Sequence, residues 1–218
     1  AEITLGRELA ARILGNYSLL KDEKINRYVN LVGKGVAQYG GRPELNYHFG
    51  VLDTDEVNAF AAPGGYIFIT RGALFKMEDE AQLAAVLAHE IGHIVQKHVV
   101  KELKIKGEDG SVGSGLATMI GGATSSFRAA LDQAIDKAAD IVTRRGYKVE
   151  DEIDADKIGI LMVYMAGYDP LALKRFLNKV SSFETQDKTY KGEHPMHKVR
   201  MMKIDKTIRE NGMQFAKN

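Results

Sequence analysis

The segment LAAVLAHEIGHIVQKH, residues 83–98, decides the fold expected of this chain. Within an apolar run of helical periodicity it contains the pattern H-E-x-x-H, at His89, Glu90 and His93. An α-helix advances about 100° per residue, so the two histidines lie about 40° apart on one face, one turn from each other. Two imidazoles in this arrangement can share one metal ion, and Glu90 can reach a water bound to that ion. The pattern predicts a zinc site with Glu90 as general base; the alternative is an amphipathic core helix with buried, hydrogen-bonded histidines.

The composition is that of a globular protein and narrows the ligands a metal could use. The chain has 218 residues, 44% of them hydrophobic and 27% charged, with a net charge of +1 that gives no reason to expect nucleic acid or an acidic membrane surface. It has no cysteine, so a metal must be bound by histidine and carboxylate. No run of about 18 apolar residues predicts a transmembrane helix. The opening AEITLGRELA has no signal-peptide pattern, so we expect a mature chain.

The rest of the pattern predicts an α+β domain that is mostly helical. Helical periodicity recurs over residues 3–16, 22–38, 127–143, 149–166, about 170–183 and about 196–210. Alternation over 45–52, a turn at 63–65 and the β-branched and aromatic run 66–70 predict a small, mainly antiparallel β-sheet. The H-E-x-x-H helix should follow this sheet and continue to about residue 104.

We expect one domain with four parts. They are scaffold helices over 1–44, the sheet with the H-E-x-x-H helix over 45–104, a mobile Gly- and Ser-rich segment over 105–126, and C-terminal helices with a third metal ligand over 127–218.

A catalytic zinc site needs three protein ligands and a water, and the usual third histidine is absent. In the extended pattern H-E-x-x-H-x-x-G-x-x-H, the later positions hold Gln96 and Val99. His98 lies about 140° from His93 round a continuous helix, which favours a surface or helix-capping residue over a ligand.

A carboxylate from a second helix is the better candidate for the third ligand. In EDEIDADKIG, residues 150–159, Glu152 and Asp156 are four apart and share a helix face. Glu152 could bind the metal while Asp156 accepts a hydrogen bond from a ligand histidine. The alternative is a solvated acidic face, which is how we interpret the neighbouring acids. Isoleucines along the same helix indicate burial, and a buried carboxylate needs a partner.

Four segments together resemble the HtpX/BepA-like zinc metalloendopeptidases, a family that also includes the CAAX prenyl proteases and the soluble minigluzincins. They are NAFAAPGGYIFITRGAL, LAAVLAHEIGHIVQKH, GYKVEDEIDADKIG and HPMHKVR, in order across about residues 50–200. The resemblance implies a zincin-like, minigluzincin-type fold. It places the family's third ligand on Glu152 and its supporting Asp on Asp156. Asp154 replaces the usual middle Glu, and Lys148-Val149 replace a common Ser-Arg pair.

The family's H-P-x-x-x-x-R element matches His194, Pro195 and Arg200. The resemblance implies that His194 lies near the metal and Arg200 near Asp156 and the reacting carbonyl, where both would stabilise the tetrahedral intermediate. His194 could instead cap the open position of the metal. A loop histidine and a helix-surface arginine are the simpler alternatives.

Zincins of this kind bind substrate along an exposed edge strand beside the active-site helix, by backbone pairing. We therefore expect substrate contacts from Gly64, Gly65, Tyr66, Ile67 and Phe68; the alternative is an ordinary core strand.

The sequence predicts a metalloendopeptidase that hydrolyses peptide bonds of extended or misfolded chains. One Zn²⁺ would be held by His89, His93 and Glu152, with Glu90 as base. One alternative is an envelope chaperone or assembly factor with a latched, weakly active site; another is a structural metal domain. The expected partner is a polypeptide, not nucleic acid, while peripheral membrane association and oligomeric state stay open. The resemblance favours the bacterial periplasm.

Overall fold

The computed structural model describes residues 1–104, 115, 118, 125–184 and 198–214, and the structural statements below concern these. The helices are α1 (Glu2–Asn16), α2 (Glu23–Ala37), α3 (Arg71–Lys76), α4 (Glu80–Val95), α5 (His98–Leu103), α6 (Ser125–Asp140), α7 (Val149–Met165), α8 (Ala172–Glu184) and α9 (Lys198–Glu210). The strands are β1 (His48–Leu52), β2 (Ala59–Ala62) and β3 (Tyr66–Thr70). A π-helical turn, Ile141–Arg145, follows α6, where the sequence predicted plain helix. The α+β class is confirmed.

The three strands form a mixed sheet in the order β1-β3-β2. β1 runs parallel to β3, whereas β2 is antiparallel to it, so the predicted mainly antiparallel sheet is wrong. The turn at Gly64 and Gly65, where both φ angles are positive, folds β2 back onto β3 as a hairpin. The chain between β1 and β2 is long enough to leave room for β3 between them. Alternation of apolar and polar side chains indicates which face of a strand is buried, but it does not indicate the order in which the strands pair.

The outer edge of β1 is closed by side chains of α2 and by backbone that precedes this helix. Asn30 both accepts a hydrogen bond from the backbone N–H of Phe49 and donates one to its carbonyl, at 3.3 and 2.6 Å. Asn26 accepts from the N–H of Val51 at 3.1 Å, and the carbonyl of Val51 accepts from the N–H of Leu20. No position is therefore left for a further strand along the middle of β1.

β3 lies in the centre of the sheet and is not an edge strand. Tyr66, Ile67 and Phe68 each align with residues of both β1 and β2. The expectation that Gly64 to Phe68 form an exposed edge for substrate is wrong for this reason. The run YIFIT places apolar side chains on both faces, and such a strand gains most free energy when both faces and both edges are covered.

The sheet separates two apolar clusters. Phe49, Val51, Ile67 and Ile69 face α2 and α4, whereas Phe60, with Leu52 and Phe68, packs among side chains of α1. α4 begins where Asp79 accepts a hydrogen bond from the N–H of Gln82, and almost all of its residues are buried. A helix that is apolar all round lies in the core, so the H-E-x-x-H segment becomes the central helix of the domain.

α4 and α7 approach closely because small residues line their contact. A Cβ at Gly92 would lie 2.7 Å from the carbonyl oxygen of Ala155, and one at Gly159 would lie 3.0 Å from the backbone nitrogen of His89. The backbones of the two helices are nearly in contact there. This approach brings the acidic face of α7 against the histidines of α4.

The H-E-x-x-H helix does not continue to residue 104 as predicted. It ends at Val95, and Lys97 adopts a left-handed conformation with φ of 56°, after which α5 begins at His98. This break redirects the chain by a turn that helical periodicity does not encode.

Within the described residues, no helix is long and apolar enough to cross a membrane. Most of the Gly- and Ser-rich segment predicted to be mobile lies outside the described residues.

Candidate metal centre

Three buried donor groups converge from α4 and α7. The Nε2 atoms of His89 and His93 lie 3.1 Å apart, and the carboxylate oxygens of Glu152 lie 3.4 and 3.6 Å from them. Each of these side chains is at most 5% exposed. A tetrahedral zinc ion with bonds of about 2.0–2.1 Å holds its donors roughly 3.3–3.4 Å apart, so this spacing and donor set fit zinc. The predicted triad is brought together although Glu152 lies 59 residues after His93 in the sequence.

Asp156 and Arg200 support this group from the opposite side of His89. The Nδ1 of His89 lies 2.9 Å from Asp156, which leaves its Nε2 directed at the other donors. Arg200, fully buried on α9, donates from Nε and Nη2 to both oxygens of Asp156 at 2.8 Å. Its Nη1 lies 2.7 Å from Glu152. Arg200 is thus beside Asp156, as the family resemblance implied, with its guanidinium directed at two carboxylates. A contact with the reacting carbonyl stays a prediction.

The electrostatics of this group favour a cation. Burial alone would lower the pKa of His89, but hydrogen bonds to Asp156 and Glu152 outweigh it and raise that pKa to about 10. Burial would raise the pKa of Asp156, yet the charge of Arg200 keeps it below its ordinary value. Two buried carboxylates therefore draw positive charge to the point where the imidazoles meet, which is what a divalent metal supplies.

Glu90, the predicted base, is 1% exposed on α4. Burial raises the pKa of Tyr147 well above its ordinary value, and the negative charge of Glu90 adds to that effect. Tyr147 stacks on His93 with ring centroids 3.9 Å apart and planes 21° from parallel. Tyr147 was not among the residues predicted for the site; its position just before the acidic motif was the available signal.

His98 is the second residue that the sequence misjudged. It is 3% exposed, so the prediction of a surface residue is wrong. Its Nδ1 lies 2.8 Å from the Nδ1 of His93, and its Nε2 lies 3.6 Å from Asp151. Burial lowers the pKa of His98, which favours the neutral ring. His98 is not among the three metal-ligating candidates but contacts one of them.

His194 and Pro195, predicted near the metal, lie outside the described residues, so their roles stay predictions. The predicted substrate-binding residues are described and lie elsewhere in the domain. Gly64 and Gly65 form the hairpin turn, and Tyr66 to Phe68 pair within the sheet.

The family model of peptidase family M48 matches residues 23–208 of this chain. The chain belongs to peptidase family M48. M48 peptidases are zinc metalloproteases, and the match includes all three donor residues. The HtpX/BepA-like resemblance is therefore confirmed, as is zinc as the metal of this M48 domain.

Named relatives of the domain come from bacteria and mitochondria. The chain is 31% identical over 189 residues to "Beta-barrel assembly-enhancing protease" of Escherichia coli K12, covering 82% of this chain and 37% of the relative. It is 31% identical over 175 residues to human "Metalloendopeptidase OMA1, mitochondrial", covering 77% and 33%. For "Mitochondrial metalloendopeptidase OMA1" of Schizosaccharomyces pombe the identity is 26%, with 84% and 53% covered. The M48 domain thus spans about a third to a half of these relatives.

Proposed function

We propose that this M48 domain hydrolyses peptide bonds of extended or misfolded polypeptides, with Glu90 as general base. The observation that carries the proposal is the convergence of His89, His93 and Glu152 within 4.8 Å of one another. These three residues would hold one zinc ion. The family match supports peptidase chemistry, and a buried acid next to a ligand histidine supports the role of Glu90.

The residues of the site have three separate roles: some hold the metal, some orient its ligands, and Glu90 transfers a proton. Bound zinc supplies a Lewis acid that makes water more acidic near neutral pH. Glu90 takes a proton from the attacking water and delivers it to the nitrogen of the scissile bond, so that this nitrogen leaves as a neutral amine and not as an anion. Asp156 fixes the ring of His89, and Arg200 holds Asp156 and Glu152 in place. Burial excludes bulk water and strengthens each of these interactions.

Substrate recognition is proposed at β2 instead of β3. The N–H of Thr70 donates to the carbonyl of Asn58, and this register turns the backbone groups of Ala61 away from β3. Because α4 packs against β2, a chain paired there would run beside the donor group. Backbone pairing depends little on the side chains of the substrate, so unfolded chains of many sequences could bind in this way. A peptide series with proline moved along the cleaved region tests this; equal cleavage of every member would exclude pairing.

Glu90→Gln is the central test of the catalytic proposal. The variant should bind zinc like the wild type yet lose cleavage of casein and of a fluorogenic peptide. A chelator should abolish wild-type cleavage, and zinc should restore it. The exposed Glu8→Gln serves as control. Full activity of Glu90→Gln would refute Glu90 as base, and wild-type activity that survives complete zinc removal would refute the metal mechanism.

A latched, weakly active state is the second candidate, supported by burial of the site. His89, His93 and Glu152 are 4%, 2% and 0% exposed, and the turn Ile141–Arg145 packs against β2. For a polypeptide to reach these three side chains, the residues that bury them would have to move. A binder that rarely cuts should show strong binding of unfolded casein to Glu90→Gln together with slow wild-type turnover; fast turnover would exclude it.

We propose a bacterial envelope as the working location. The support is the set of relatives named beta-barrel assembly-enhancing protease. The relatives named OMA1 are mitochondrial by name, so the proposal rests on the bacterial ones. Fractionation of the source cell with an antibody to the chain is the test, and a cytosolic signal would refute it.

A further inference from the structure

The break in the chain after α4 turns His98 back toward the metal centre. In a continuous helix, five residues of advance would place His98 about 140° from His93, away from its ring. Lys97 instead adopts φ of 56° and ψ of 38°, the left-handed conformation that is unfavourable for residues other than glycine. Of the described residues other than glycine, only Lys97 and Lys104, which flank α5, have a positive φ. The result is a 2.8 Å contact between the Nδ1 atoms of His93 and His98.

The direction of this hydrogen bond follows from the neighbours of His93. Its Nε2 lies 3.1 Å from the Nε2 of His89 and 3.6 Å from Glu152, so the lone pair of that nitrogen is the one available to a metal. An imidazole that binds a metal through Nε2 carries its proton on Nδ1. The Nδ1–H of His93 must then donate, and the Nδ1 of His98 must accept. His98 carries its own proton on Nε2, the nitrogen that faces Asp151 at 3.6 Å.

We infer that His98 is a positioning residue that holds His93 in its metal-binding tautomer and orientation through an Nδ1–H···Nδ1 hydrogen bond. The inference rests on the proposed role of His93 as a zinc ligand. His98 does for His93 what Asp156 does for His89, with a neutral ring in place of a carboxylate. Tyr147 stacks on the face of His93 and limits rotation of the ring, and the hydrogen bond to His98 adds a directional restraint at Nδ1.

Three substitutions at His98 separate hydrogen bonding from packing. Asn places its Oδ1 where the Nδ1 of histidine lies and keeps the acceptor. Gln places its acceptor farther out, near the position of Nε2, and Leu removes it. We expect His98→Leu and His98→Gln to weaken zinc binding by roughly 10–100-fold and His98→Asn to stay within a few-fold of the wild type. Zinc affinity is measured by competition with a chromophoric chelator.

Lys97→Gly is the matched control, since glycine adopts the left-handed conformation without steric cost and keeps His98 in place. It should bind zinc like the wild type. The Co²⁺-substituted proteins give a second readout: the visible d–d bands of His98→Asn should match the wild type, and those of His98→Leu should shift as His93 reorients.

Wild-type protein tests the inference without substitution. In the zinc-loaded chain, ¹⁵N correlation spectra should show Nδ1 of His93 and Nε2 of His98 protonated, and Nδ1 of His98 unprotonated. A protonated Nδ1 on His98 would overturn the inference. So would a His98→Asn variant that binds zinc as weakly as His98→Leu, or a folded His98→Leu variant with wild-type affinity. If the wild type itself binds no zinc, the proposed metal site fails as a whole, which is a different result.

Discussion

Gly92→Ala should damage both the packing of the domain and its metal site. The added Cβ would lie 2.7 Å from the carbonyl oxygen of Ala155 and 2.9 Å from its Cα. Ordinary contact begins near 3.4 Å, so α4 and α7 would have to separate by roughly 0.5–0.7 Å, and a packed core resists such a shift. The clash should cost about 1–3 kcal/mol. Alanine regains up to about 1 kcal/mol of helix propensity, so the net loss should be about 0–3 kcal/mol.

Gly35→Ala is the matched control because it makes the same chemical change without a neighbour. Gly35 lies exposed within α2, and a Cβ there would meet nothing within 4 Å. This variant should gain up to about 1 kcal/mol. The difference between the two variants therefore isolates the clash, at about 1–3 kcal/mol.

Urea unfolding at fixed pH, in metal-free protein, measures both variants against the wild type. Zinc competition then reports the site, where supporting residues must stay within about 0.5 Å of their working positions. We expect Gly92→Ala to lose roughly tenfold in zinc affinity and Gly35→Ala to lose none. Equal stability of the two variants, or wild-type zinc affinity in Gly92→Ala, would refute the claim that this helix approach positions Glu152 and Asp156.

Three further predictions concern charge. Arg200→Leu should destabilise metal-free protein by about 3–5 kcal/mol, because it removes the buried cation that is paired with the carboxylates of Asp156 and Glu152; a urea midpoint equal to wild type would refute this. A hydrogen bond from Lys148, followed in size by one from Arg145, lowers the pKa of Glu102 from its ordinary value of 4.5 to about 2. These bonds therefore stabilise the folded protein fully when the pH is above 4.5, and the stabilisation is lost as the pH falls toward 2. Glu102→Gln should accordingly unfold more easily than wild type at pH 6 but equally at pH 2, as followed by circular dichroism. Zinc at 100 times its dissociation constant should stabilise the wild type by about 2.7 kcal/mol in thermal unfolding and should leave Glu152→Gln almost unchanged.

Local sequence was sufficient for the elements and for half of the site. Helical and alternating patterns predicted most helices and strands because each reports which residues face the core. H-E-x-x-H predicted the face shared by His89 and His93, since both lie on one turn of one helix. Glu152 and Asp156 followed from the same rule applied to a second helix, together with the need of a buried carboxylate for a partner.

The wrong predictions concern residues whose positions depend on contacts that local periodicity does not report. His98 was expected at the surface because a continuous helix was assumed; a left-handed Lys97 ends that helix, and single positive-φ residues other than glycine have no reliable sequence signal. Tyr66 to Phe68 were expected at an edge, yet β3 lies between β1 and β2. Strand order is set by how the whole sheet is covered, and no single strand contains that information.

The sequence by itself determined the kind of site: its donor types, the helix face of the histidines and the acidic residues able to complete it. Tertiary structure alone decided how these parts meet. The near-contact of backbones at Gly92 and Gly159 sets the distance between the two helices, the buried Arg200 from a third helix pairs with both carboxylates, and His98 meets His93. These are long-range contacts, and their free energy depends on groups that become neighbours only after the chain has packed.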